Sequence, residues 1–236
     1  MSKMTEKKLE PASQDSGESI LSRQLKDAIV SQKLAPGQKV TETGLAELLS
    51  TSRTVARGLM EQLTVQNFLV SISPRMTLVA PLTVTSIKEN FMLLKMILPE
   101  LISTSIESVD MDALSVLNKA VEALNVDKDN DDQVLELLRL NRQFNLMLFA
   151  GSKYELPVIW ATLLEDMAMR IYWIYVRQHG KLPFAAAHHE NQIKAMQEND
   201  PKRVQALVRK TLTQNEDRIL SAVLSSDHFH SHDLSV

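Results

Sequence analysis

The sequence predicts a mainly α protein: an N-terminal winged helix-turn-helix followed by an all-α helical bundle. Three observations predict it. Leu, Met, Ala, Val and Ile are plentiful, aromatics make up only 5%, and 236 residues hold just 6 Gly and 8 Pro, which favours helices over a sandwich or barrel. Residues 42–79 run through two short amphipathic segments, a Ser/Thr turn between them, and two strand-like segments, the order of two helices and a ribbon. From about residue 84 onward the apolar residues recur at helical spacing almost without a break.

The elements follow in order. Residues 1–16 are charged, Ser-rich and aperiodic, and are expected to be a disordered tail. A head over 17–80 opens with a helix starting near Ser19, its apolar stripe made by Ile20, Leu21, Leu25, Ile29 and Val30. Pro36-Gly37 breaks it. Thr41 or Thr43 caps the next helix, which buries Leu45, Leu48 and Leu49. Ser50-Thr51-Ser52 forms the turn, and Ser52 caps a helix over roughly 53–66 with Leu59, Met60 and Leu63 inward. Residues 69–72 and 77–79 read as two strands, the wing, around Ser73-Pro74-Arg75-Met76. After a linker at 80–83, a helical domain over 84–226 is expected to hold helices near 84–106 (kinked at Pro99), 110–124, 130–151, 154–178, 185–198 and 201–224, the last with Pro201 in its first turn. Residues 227–236 read as a flexible tail.

Composition excludes several classes. There is no Cys, so disulfides and thiolate metal sites are out, and a reducing cytoplasm is the expected location. The polar start lacks the apolar core of a secretory signal, and no apolar run approaches the ~18 residues of a transmembrane helix, so no membrane partner is expected. The net charge is −3, so contact with nucleic acid must rest on a local patch. Residues 17–80 supply one, with seven cations against five anions. Arg53 and Arg57 lie one helical turn apart with Thr54 beside them. Arg holds guanine edges or phosphates bidentately, and Thr meets a phosphate or a thymine methyl. Arg75 at the wing tip is placed to reach the backbone or minor groove. Two solvated Arg on an amphipathic helix is the bland alternative; the helix order, turn and wing favour double-stranded operator DNA.

The segments LAPGQKV, TGLAELLSTSRTVARGLMEQL and NFLVS resemble the GntR family of bacterial transcription regulators, and the helical remainder is similar to the FCD-type domain of its FadR subgroup, together over roughly 18–224. The resemblance implies that Arg53, Thr54 and Arg57 are DNA-contacting positions and that Thr43 is another DNA-facing one. Two departures stand out. Gly58 lies inside the reading helix, where Gly costs about 1 kcal/mol relative to Ala, and Met76 replaces the usual wing Gly.

The resemblance also implies a divalent metal held by an Asp-x-x-Phe-His motif and two later His residues. Here Asn141 replaces the Asp, Asn145 the first His and Thr211 the third; His189 alone remains. No cofactor is therefore expected. Zn²⁺ or Ni²⁺ in the pocket, with His189 as its candidate ligand and His188 adjacent, is the alternative; the tail His228, His230 and His232 is a further Ni²⁺-like tract. Read from periodicity, Asn141, Asn145, His189 and Thr211 interrupt apolar faces of three helices, and a buried polar group left unpaired costs roughly 1–3 kcal/mol. Either these residues satisfy one another or they line a pocket for a polar ligand. Arg170 is a candidate for an effector carboxylate, against an intrahelical pair with Asp166; Arg142 is expected on the solvated surface. The resulting expectation is a homodimeric regulator, a repressor by resemblance, sensing a small organic acid or related metabolite. A helical adaptor or an enzyme with a vestigial head is the rival; no catalytic constellation is placed.

Overall fold

A computed structural model describes residues 20–184 and 187–225. The expected tails at 1–16 and 227–236, and with them the His228, His230 and His232 tract, lie outside the described residues.

The head is three helices and a small sheet. Helix α1 (Ile20–Val30) buries Leu25, Ile29 and Val30. Ile20, expected in that stripe, opens the helix on its solvent side and is exposed. Thr41 settles the capping choice: in extended conformation, its Oγ1 accepts from Gly44 N at 3.1 Å, satisfying an otherwise unpaired first-turn donor. Thr43 therefore lies within α2 (Glu42–Leu48) and is exposed. Leu45, Ala46 and Leu49 turn inward, whereas Leu48 does not join the core. Ser52 Oγ accepts from Val55 N at 3.3 Å and starts α3 (Arg53–Val65). Ala56, Leu59 and Leu63 are its buried stripe, so Arg53, Thr54 and Arg57 face outward.

The wing carries one strand more than expected. β1 (Lys39–Val40) joins β2 (Leu69–Ser73) and β3 (Met76–Val79) in an antiparallel sheet of order β1-β3-β2. Lys39 pairs with Leu78 and Val40 with Thr77. Two residues of strand carry no readable alternation, which is why β1 was not legible. Ser73 pairs with Met76, leaving Pro74-Arg75 as a two-residue tip.

The body begins at α4 (Val84–Ser103), fixed by a reciprocal cap: Ser86 N donates to Thr83 Oγ1 at 3.0 Å and Thr83 N to Ser86 Oγ at 2.8 Å. Pro99 lies inside α4 and has no N–H for the carbonyl of Lys95. Arg209 Nη1 donates to that carbonyl at 3.0 Å instead, so the helix runs on past the proline. A single 3₁₀ turn (Ile106–Ser108) leads to α5 (Met111–Ala123) and α6 (Asp131–Met147). Helix α6 stops four residues short of the expected 151. Gly151 there packs on Ser108 so closely that a β-carbon would lie 2.4 Å from Ser108 Oγ. Helix α7 (Glu155–His179) ends on left-handed Gly180 (φ 67°). Helices α8 (Ala187–Gln197) and α9 (Pro201–Leu224) complete the bundle, Asp200 capping α9.

Helix α4 packs along α9 and α7, α6 lies against α7 and α5, and α8 bridges α9 and α5. Head and body meet where α1 lies against α7 and α6: Lys26 Nζ lies 2.9 Å from Asp166 Oδ2 of α7, and Arg139 Nη2 of α6 is 2.7 Å from Asp27 Oδ2. Among the described residues no helix is long and apolar enough to cross a membrane.

Candidate functional site

Two surfaces carry functional groups. The first is the outer face of α3. Arg53 and Arg57 keep about 70% of their side-chain surface in solvent, and Thr54, Thr43 and the wing-tip Arg75 are exposed beside them. The α3 N-terminus adds the positive end of a helix dipole to this cluster. The cations are not bare. Arg57 Nε lies 3.1 Å from Glu61 Oε1 and 4.0 Å from Glu42 Oε1, and Arg53 Nη2 is 3.8 Å from Glu42 Oε2. Exposed pairs of this kind are weak, so they orient the guanidinium groups at little energetic cost to exchange. A β-carbon at Gly58 would meet nothing within 4 Å; nothing in the fold demands glycine there.

The second is a part-open cavity in the body, with about 40 Å³ of water-accessible space inside it. Its polar lining is Asn145, Glu165, Tyr172, His188, His189, Gln192, Thr211 and Asn215; Leu98, Ile102, Phe184, Val208 and Leu212 supply the apolar wall. Of the residues expected here, Asn145, His189 and Thr211 come together. Asn141 and Arg170 do not. Asn141 sits one turn before Asn145 on α6, fully buried, with its Oδ1 unpaired, but outside the lining.

Arg170 corrects both readings of that residue. It neither lines the cavity nor pairs with Asp166. Its Nη2 donates to Ala80 O at 2.6 Å, and its guanidinium lies 5.9 Å from the Phe68 ring centroid, at the head–body seam. Burial there pushes it down to about 10. Asp166 is taken instead by Lys26 and by Arg142. Arg142 is therefore a half-buried ion-pair partner, not the solvated residue expected, because the α6–α7 packing closes over it.

Within the cavity most of the polar groups are held by another. His189 Nδ1 lies 2.9 Å from Asn118 Oδ1, and Asn118 Nδ2 donates to Glu122 Oε1 at 2.9 Å. An amide oxygen only accepts, so His189 carries its proton on Nδ1. Its ring stacks on Phe144 at 3.8 Å. Burial, reinforced by His188, pushes His189 down to about 3; burial pushes His188 down to about 4. Both imidazoles are neutral at pH 7. His188 Nδ1 and Thr211 Oγ1 are 2.8 Å apart. Asn145 Nδ2 donates to Glu165 Oε2 at 2.8 Å. Burial pushes Glu165 up to about 7, against the opposing Asn145 hydrogen bond and the charge of Arg142; the charge of Asp166 adds to the rise. Asn215 Nδ2 donates to Tyr172 Oη at 3.2 Å, leaving Asn215 Oδ1 buried without a partner.

Sequence reasoning missed Glu165, Asn118, Tyr172, Gln192 and Asn215. Glu165 was detectable in principle as a carboxylate within a long apolar run; the others depend on pairings across the bundle. Among the described residues no three or more His, Asp or Glu stand together as a metal-binding group. Asn145 and Thr211, where the resemblance places two of the metal ligands, present an amide and a hydroxyl that are already engaged with Glu165 and His188, and neither is a usual ligand of such a metal; His188, His189 and Glu165 are the imidazoles and carboxylate of the lining.

With that geometry in view, comparison with known proteins identifies the body. The FCD domain model matches residues 89–214, more than half the chain. The chain belongs to the FCD domain family. Head and body together have the fold of GntR-type regulators. It is similar to E. coli McbR/YncC at 19% identity and TM-score 0.68, over 85% of this chain and 95% of that one. A putative GntR transcriptional regulator of a Rhodococcus species matches at 16% identity and TM-score 0.67, over 86% and 96%. A GntR family member of Pseudomonas syringae matches at 21% and 0.52, over 87% and 85%. No curated protein matches the sequence.

Proposed function

We propose that this FCD-family chain is a sequence-specific, DNA-binding transcription repressor of the cytoplasm that works as a homodimer and binds a small polar effector in the cavity of its helical body, without a metal. The observation that carries the reading is the outward cluster of Arg53, Thr54 and Arg57 at the start of α3, flanked by Thr43 and the wing-tip Arg75. A helix so presented enters a major groove with its N-terminal residues at the base edges while the wing follows the backbone.

The body supplies the other two parts. Its cavity is built from five elements and lined by Asn145, His189 and Thr211, the positions where the family resemblance places ligand-binding groups. Helix α4 exposes Met92, Leu93 and Met96, and α7 exposes Leu156, Ile159 and Trp160; apolar strips of this kind suit a second copy of the chain.

Duplexes selected from a random pool by the wild-type protein provide the test. Arg53→Ala/Arg57→Ala should lose binding to the selected sequence by about 100-fold or more, each guanine or phosphate contact being worth roughly 1–3 kcal/mol, with an unchanged melting temperature. Equal binding by the double variant would remove α3 as the reading helix.

A further inference from the structure

The cavity lining contains an acid and no base that is charged. Glu165 is 3% exposed and presents its carboxyl to the cavity with one partner, the Asn145 amide. Among the described residues no Lys or Arg lines the space. The nearest Arg of α7, Arg170, is turned to Ala80, and Arg142 of α6 is engaged with Asp166. Of the positions where the resemblance places metal ligands, only His189 keeps a usual ligand, so the proposed site works without a metal to offer positive charge. An anionic effector would therefore meet the Glu165 carboxyl and, as nearby positive charge, only Arg142, which is already shared with Asp166, so burying an anion there is disfavoured.

Two acceptors stand out among the remaining polar atoms. Asn215 is 2% exposed and its Oδ1 has no partner. His189 holds its proton on Nδ1 toward Asn118, so its Nε2 carries a lone pair. Phe184 and Tyr172 add aromatic surface to the wall, which favours a cation further. From this geometry we infer that the effector is a small organic cation bearing N–H donors, a primary ammonium compound, whose charged end is bound by Glu165 and Asn215 between the aromatic walls. The inference rests on the reading of this cavity as the effector site and adds its chemical class. The ligand supplies a counter-charge inside the cavity, where burial raises the unliganded carboxyl to about 7 and so leaves it about half protonated at pH 7.

A charge-matched series of one shape tests it on the full chain: n-butylammonium, butanamide and butyrate, each titrated calorimetrically at pH 7.5 with melting temperature as a second readout. The ammonium compound should bind at least about tenfold more tightly than the other two. In Glu165→Gln, which reproduces the neutral form and keeps an acceptor for Asn145, that preference should fall below about threefold. The wild-type comparison stands even if the variant folds poorly. Butyrate binding equally or more tightly, or an ammonium preference that survives in Glu165→Gln, would overturn the ligand class while leaving the effector cavity in place. Binding by none of the three would overturn cavity and ligand class together. DNA binding measured on the same preparation separates either failure from failure of the regulator reading.

Discussion

The face of α3 and the cavity of the body are both polar, and they hold their polar groups in opposite ways. On α3, Arg53 and Arg57 stand in water, loosely paired with Glu42 and Glu61. Each pair is screened and exchanges readily for a phosphate. In the body, Glu165, His189 and Asn215 are nearly sealed from solvent and depend on one or two named partners. There a lost partner leaves an unsatisfied group, and stability changes with function. An exposed site is a matter of which residues face out; a buried one is a matter of who pairs with whom.

The sharpest way to break that contrast is to remove a buried partner that serves both regions. Asp166→Ala removes one ion pair from Lys26 of the head and one from Arg142 of the body, and should destabilise the chain by about 3–5 kcal/mol in urea unfolding. A loss below about 1 kcal/mol would mean that the seam behaves like a surface. Next in size, Arg53→Ala alone should weaken specific DNA binding by about tenfold or more and flatten its salt dependence, with no shift in melting temperature.

Glu165→Gln probes the buried side through pH. The folded carboxyl is raised to about 7 from an ordinary 4.5, so between these values the folded state binds more protons than the unfolded one. Its contribution is fully present below about pH 4.5 and is lost as pH rises through 7. The variant, free of this titration, should gain on wild type by up to roughly 3 kcal/mol between pH 5 and pH 8. His188 and His189 act oppositely, being lowered in the fold: their contribution holds above about 6.5 and is lost as pH falls toward 4 and 3, equally in both proteins, so they cancel in the difference. A pH-independent difference would contradict a desolvated carboxyl. The smallest effect is Gly58→Ala, which has open space for its methyl and should stabilise α3 by about 1 kcal/mol, read as a rise of about 2–4 °C in melting temperature.

The same contrast explains what the sequence made legible. The Ser52 cap, Leu59 and Leu63 in the α3 stripe, and the outward Arg pair are local facts, set by spacing within one helix; Met60, expected inward with them, is half-buried, and Ala56 completes the stripe. The Asp200-Pro201 start of α9 is local too, whereas the Thr83 cap of α4 falls within residues that read as a linker. The cavity was legible only at Asn145, His189 and Thr211, where polar residues interrupt apolar faces. His189 is oriented by Asn118, 71 residues away in the chain, and Asp166 by Lys26, 140 away; no spacing rule reaches that far. Arg170 shows the limit most directly. An Asp one turn earlier made an intrahelical pair the simplest expectation, yet α6 and α1 reach Asp166 from the side, and Arg170 is left to find a carbonyl in the linker.

That carbonyl belongs to Ala80, directly after the last wing strand, and only residues 81–83 separate it from the first turn of α4. The joint between head and body is thus short and clasped, with almost no slack. In a pair of such chains the distance between the two reading helices would be fixed by the bodies, as a rail gauge is fixed by its sleepers. DNA whose half-sites are spaced a few base pairs too widely would then be refused by geometry, however well each half-site matched.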